Sequence, residues 1–242
     1  MIILICGRIR TTFMNQTSKQ KYWQEGVGLV EIAIALVIIG ILIGAVLQGK
    51  YLIDQARLNA VITDVQKIRL NTQRFKEKYG FLPGDFPYAS RDIHADLSNG
   101  DGSGILSGNP FSSESNAGRF WLHLNADQGS PTSSPSTLNY GDGLPECGFS
   151  GGYTIVSTPI ESMPGHWVVL GTKTSDSSGE GVLLTPEQAL FINKKLDNGA
   201  PLTGAVRSLD ANRQTSGKCI KDGRYNLSNT EKSCVMYFSI DE

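Results

Sequence analysis

Apolar residues follow three regimes along this chain. From Val27 to Leu47 they run almost unbroken, VGLVEIAIALVIIGILIGAVL, 21 residues with one charge, Glu31. A bilayer core of about 30 Å needs ~20 apolar residues at 1.5 Å each, so this stretch predicts a single transmembrane helix. Next, Leu58, Val61, Val65, Ile68, Thr72, Phe75 and Tyr79 recur at spacings of three and four. That spacing is one apolar stripe on a helix. Asp54, Arg57, Asp64, Lys67, Arg69, Arg74, Lys76, Glu77 and Lys78 fall on the other face. No strong breaker stands between the two regimes and Gly80–Pro83. One helix from Val27 to about Tyr79 is expected, roughly 80 Å long. Its stripe is expected to cover a globular body. A coiled-coil dimer is the competing reading, for which about three heptads are marginal.

Beyond Gly80 the regime changes again. Gly80-Phe81-Leu82-Pro83-Gly84-Asp85 ends the helix and turns the chain. A polar, glycine-rich stretch runs to about Ser107, and residues 114–124, ESNAGRFWLHL, predict a short amphipathic helix. Asn125 to Gly152 reads as a long surface loop. Strands are predicted at Tyr153–Ser157, His166–Gly171, Gly181–Leu184 and Val235–Ile240. Thr185-Pro186-Glu187 starts a helix, with a cap and Pro at its first position, that runs to about Leu196.

Composition sharpens this division. All ten prolines lie at Pro83 or beyond, as do 20 of the 27 glycines. Lys and Arg number 22 against 23 Asp and Glu, a balance that offers no footprint for nucleic acid. The domain boundaries that follow are 1–26 leader, 27–47 transmembrane helix, 48–80 amphipathic continuation and 81–242 globular domain. The leader carries Arg8, Arg10, Lys19 and Lys21 against Glu25, which orients it to the cytoplasm. The apolar run is longer than the 7–15 residues of an ordinary signal peptide. A start at Met14 would leave a short polar leader, MNQTSKQKYWQEG.

A carboxylate in hydrocarbon costs at least ~2.5–3.5 kcal/mol, so Glu31 marks a function by default. The plainer reading has it snorkel at the interface. The sharper one starts from Gly26. A cut after Gly26 would give Val27 a new α-amino group, about 6 Å along the helix from Glu31. The carboxylate of one copy could then neutralise the amine of another inside lipid, which drives assembly because each buried charge is costly alone.

Gly26, then Val27-Gly28-Leu29-Val30-Glu31, then the apolar run, resembles the prepilin cleavage and N-methylation motif of type IV pilins and type II secretion pseudopilins. The resemblance implies a prepilin peptidase that cuts after Gly26 and methylates Val27. It also implies a role for Glu31 in filament assembly. Two departures stand out: Val27 replaces the usual Phe, and Gln48 stands where many members have a mid-helix proline. YGFLPGDFPYA, NGDGSG, RFWLHL and LTPEQALFINKKLDNGAPLTGAV resemble, more loosely, a subgroup of secretion-type pilin-like proteins of Gram-negative bacteria. The implied fold class is α+β: a long N-terminal helix, half transmembrane and half amphipathic, packed on a C-terminal antiparallel β-sheet. The implied partners are prepilin peptidase, other pilin or pseudopilin subunits, an inner-membrane assembly platform and membrane lipid. The implied location is the inner membrane, with the globular domain in the periplasm.

Cys6 lies in the leader, and Cys147, Cys219 and Cys234 remain beyond it. An oxidising compartment permits a bridge. Pilin-like proteins often staple a loop before the last strand, so the resemblance implies Cys219–Cys234. Cys147 is then free or pairs between chains. Asp96, Asn99 and Asp101 cluster in an oxygen-rich, glycine-flexed loop that suits Ca²⁺, although a solvated turn is the preferred reading and no cofactor is otherwise called for. No G-x-S-x-G, H-E-x-x-H or P-loop occurs, and His94, His123 and His166 are scattered, so an enzyme is not expected. The leading expectation is a structural filament subunit. The rivals are a single-pass, membrane-anchored periplasmic enzyme or binding module, and a minor pilin for adhesion or DNA uptake.

Overall fold

The structure, a computed structural model, describes residues 28–130, 135–213 and 216–241. The chain divides into two compact units between Gln48 and Gly49. Helix α1, Leu29–Tyr79, runs through both as one element of 51 residues. It continues through Gln48 without a break. In the first unit its large apolar side chains, from Leu29 to Val46, are all exposed. Among the described residues α1 is the one helix long and apolar enough to cross a membrane.

The second unit is α+β. After α1 come α2 (Ala89–Asp92), α3 (Asn116–Asp127), β1 (Asn139–Tyr140), β2 (Gly143–Leu144), β3 (Glu146–Cys147), β4 (Gly151–Ser157) and β5 (His166–Gly171). Then follow α4 (Pro186–Leu196), β6 (Val206–Asp210), β7 (Ile220–Lys221), β8 (Arg224–Tyr225) and β9 (Cys234–Ser239). The main sheet is antiparallel throughout, in the order β3-β4-β5-β9-β6.

The predicted stripe is the wall of the core. Leu58, Val61, Val65, Ile68, Thr72 and Phe75 are buried, and Tyr79 is half-buried. They pack with Tyr153 and Ile155 of β4, Val168 and Leu170 of β5, Met236 and Phe238 of β9, and Phe120 and Trp121 of α3. Each such side chain contributes roughly 1.5–3 kcal/mol on burial. The competing coiled-coil reading is therefore corrected: the chain's own sheet covers the stripe, and no second helix is needed.

The other face of the sheet is also dry. Trp167, Val169, Val235 and Tyr237 pack with Met163, over which Ile160 and Val156 close. Burial on both faces explains why β5 and β9 read HWVVLG and CVMYFS rather than alternating apolar with polar.

Several sequence expectations change. Gly181–Leu184 is not a strand. Gly181 bridges Thr172 and Leu184 bridges Cys234, so the segment crosses from β5 to β9 instead of running along either. β6 went unpredicted because VRSLD carries two charges in five residues. The supposed loop 125–152 holds β1, β2 and β3 and contributes buried Leu138, Leu144 and Phe149. α4 begins where expected, with a full capping box between Thr185 and Gln188.

Cys219 and Cys234 are bridged, with Cα atoms 5.0 Å apart. Asp210 braces the stapled loop by accepting from Ser216 Oγ, Gly217 N and Cys219 N. Inside, the Asn193 amide of α4 donates to Ala200 O, Val206 O and the Tyr225 hydroxyl, which also meets Ser208 Oγ. α4, β6 and β8 are thereby fixed together. Replacing both Cys219 and Cys234 by Ser should keep the fold and remove about 3 kcal/mol of stability. Urea unfolding of the detergent-solubilised chain checks the loss, and non-reducing peptide mapping checks the pairing.

Candidate functional site

Two places hold the candidate residues. The first is the start of α1. Gly26 and Val27 lie outside the described residues. Glu31 sits in the first turn, where its backbone N–H donates to Gly28 O at 3.0 Å. Its neighbours Leu29, Val30, Ile32 and Ile34 are all exposed. From Leu29 to Leu47 the helix carries no other charge. The arrangement presents one carboxyl side chain on an otherwise apolar stretch of helix.

The second place is where two glycine-rich motifs of the sequence fold onto each other. Gly80 ends α1 with φ +76°, and the chain doubles back through Leu82 and Pro83. Gly84, φ +81°, lies against α3 so closely that a Cβ would stand 2.2 Å from Asn116 O. Asp85 is buried and collects the second motif: its backbone oxygen accepts from Gly102 N, and its carboxylate from Gly104 N at 3.0 Å. Gly100 N donates to Phe86 O at 2.8 Å. Asp101 accepts from Ser103 N and, at 2.7 Å, from Asn116 Nδ2 at the start of α3.

The carboxyl groups of Asp85 and Asp101 titrate in opposite directions. Burial raises Asp85, opposed by the Gly104 N–H. Donors from Ser103 and Asn116 hold Asp101 well below the usual carboxylate range. Sequence reasoning missed Asp85, although its place in Pro83-Gly84-Asp85 was the available signal.

His123 of α3 joins this fold-over. Its Nδ1 accepts from Gly84 N at 2.9 Å and its Nε2 lies 2.8 Å from Ser98 O, a pair that defines a neutral ring. Burial pushes its pKa down to about 4.

The proposed Ca²⁺ residues take separate partners. Asp96 is exposed beside His94, Asn99 Oδ1 accepts from Ser90 N and Oγ, and Asp101 faces Asn116. Among the described residues no group of three or more His, Cys, Asp or Glu is placed to hold a metal. Cys147 is unbridged and half-buried, and burial raises its thiol pKa. The three histidines occupy three settings: His94 beside Asp96, His123 in the core, and His166 between Asp241 Oδ1 and Gly104 O.

No family profile, curated protein or solved structure matches this chain. The functional reading rests on residues and geometry alone.

The histidine gives a pH test. An unfolded imidazole takes its proton near 6.5, but the folded His123 takes it only near 4. Stability from this group is full above pH 6.5 and falls as pH drops towards 4, by about 3 kcal/mol in all. Urea midpoints measured between pH 7.5 and 4 should show that slope, and His123→Gln should flatten it.

Proposed function

We propose that this protein is a pilin-like or pseudopilin structural subunit, processed by a prepilin peptidase and assembled into a type II secretion pseudopilus or a type IV pilus. The observation that carries the reading is Glu31, the one charge between Leu29 and Leu47, five residues after Gly26. An inert anchor has no use for a carboxylate there, since the group works against insertion by at least ~2.5–3.5 kcal/mol. Paired with the amine freed at Val27 of a neighbouring copy, the same group stabilises assembly.

Further support comes from α1. It is one helix of 51 residues that carries Glu31 in its first turn and supplies a wall of the α+β core with its second half. In this reading the helix lies in the inner membrane before assembly, with the body in the periplasm, where the Cys219–Cys234 bridge is stable. The assembly platform and other subunits are its partners.

Processing and assembly should separate at two residues. Gly26→Leu should leave a full-length, membrane-held precursor, because the peptidase loses access to the scissile backbone. Glu31→Ala should still be cut, yet be lost from sheared filaments and cross-linked ladders. Precursor size on a gel and recovery in ladders are the two readouts. Wild-type assembly by Glu31→Ala removes the charge-pairing mechanism. Mature protein that retains residues 14–26 removes the pilin-like reading altogether.

A further inference from the structure

Charge is unevenly placed on the second unit. Between Gly80 and Gly118 the chain has five carboxylates, Asp85, Asp92, Asp96, Asp101 and Glu114, against one guanidinium, Arg91. Asp85 is buried and Arg91 pairs with Asp92 at 2.7 Å, which leaves Asp96, Asp101 and Glu114 as the surface excess. This segment packs on α3 and on the ends of β4 and β5, through Gly84–His123, Leu106–Ser157 and Gly104–His166. Its outward apolar residues are Tyr88 and Ile105, each about half exposed (49% and 52%).

From Leu190 to Lys232 the balance reverses, with eight Lys and Arg against four Asp and Glu. The described part of this stretch contains β6, the edge strand at the far end of the sheet from β3 and β4. Here α4 and the β7–β8 hairpin enclose an open groove of about 470 Å³. Leu190, Pro201, Tyr225 and Leu227 supply its apolar walls, and Leu227 is 56% exposed. Lys194 and Arg224 stand on its rim, exposed and in no ion pair among the described residues. Asp222 at the hairpin turn is the nearest carboxylate in sequence to that rim. The Asn193–Tyr225–Ser208 network holds the groove's floor in place.

We propose that this groove receives the acidic 88–105 segment of a second copy of this chain, with Ile105 against Leu227 and Asp96 facing Lys194 and Arg224. A cationic rim around apolar walls suits a partner that is acidic at its edge and apolar at its centre, and the far side of the same sheet presents one. The two surfaces are different patches of one molecule, so the contact is heterologous. Copies add head to tail, and such contacts grow open helical arrays unless the rotation closes a ring. The inference rests on the filament reading and assigns that filament a contact outside the apolar helices.

The test uses full-length chains in membranes. Copies with Ile105→Cys are mixed with copies carrying Leu227→Cys, both in a Cys147→Ser background, and intermolecular disulfides are read on non-reducing gels. The mixed pair should cross-link, and less so as salt rises from ~0.05 M to ~0.5 M, because the steering charges are exposed. Adding Lys194→Glu and Arg224→Glu to the Leu227→Cys chain should cut the yield about tenfold, the effect of ~1.4 kcal/mol. Asp96→Lys in the Ile105→Cys chain should restore it. All the substituted charges are exposed, and unchanged melting of each variant verifies the fold. A yield indifferent to reversal, or Leu227→Cys joining Leu227→Cys instead, overturns the proposal. Glu31-dependent ladders without the 105–227 cross-link overturn this contact and leave the filament reading standing. Absence of both overturns the two together.

Discussion

The seam between the α1 stripe and the sheet is the contact on which the rest of the second unit depends. Leu58, Val61, Val65, Ile68, Thr72 and Phe75 form a single row, and every strand of the sheet reaches the cluster around it, β3 through half-buried Cys147. Apolar burial of this kind is non-directional, so the row alone would not fix one arrangement. Direction comes from Arg69, whose guanidinium donates to Ser239 O and Ala205 O and so ties the helix to the ends of β9 and β6. Hydrogen bonds from a charged donor contribute about 1.5–3 kcal/mol each, enough to select one register among near-equal packings.

Three buried polar centres do for the loops what the seam does for the sheet. Asp85 gathers the fold-over after α1, Asn193 joins α4 to β6 and β8, and Asp210 braces the stapled loop. Each takes backbone groups that no strand or helix could satisfy. A chain with so many glycines after position 80 loses much backbone entropy on folding, and these centres concentrate the compensating bonds where the chain turns. The surfaces proposed to meet between copies are shaped by two of them, Asp85 on the acidic side and Asn193 on the basic side.

The two helices with strong periodic or capping signals, α1 and α4, were legible in the sequence, as were β4, β5 and β9, whose continuous apolar runs report burial on both faces. β6 was not, because its pairing with β9 is set by tertiary context while its own residues, VRSLD, read as a loop. Gly181–Leu184 misled for the reverse reason: its apolar pattern is real, but it marks burial at two separate bridges and not a strand. In the candidate sites, Glu31 was legible because a lone charge in an apolar run needs no structure to be conspicuous. Asp85 was hidden because burial of a carboxylate depends on donors from residues 15 to 20 positions away. The groove beside α4 was hidden as well, since its walls come from three separate segments.

The place of β9 in the sheet has a consequence for biosynthesis. It lies between β5 and β6, yet it follows every other element of the described residues. Until it is made, β5 and β6 have no shared neighbour, and Cys219 has no partner. The α1 stripe, made first, must wait for more than a hundred and fifty residues before its cover is complete. A ribosome that stalls late, or a chain cut short before Cys234, therefore exposes an uncovered apolar helix face and two unpaired strand edges, the features that proteases and chaperones read as unfinished. Quality control of this protein is vested in its last strand.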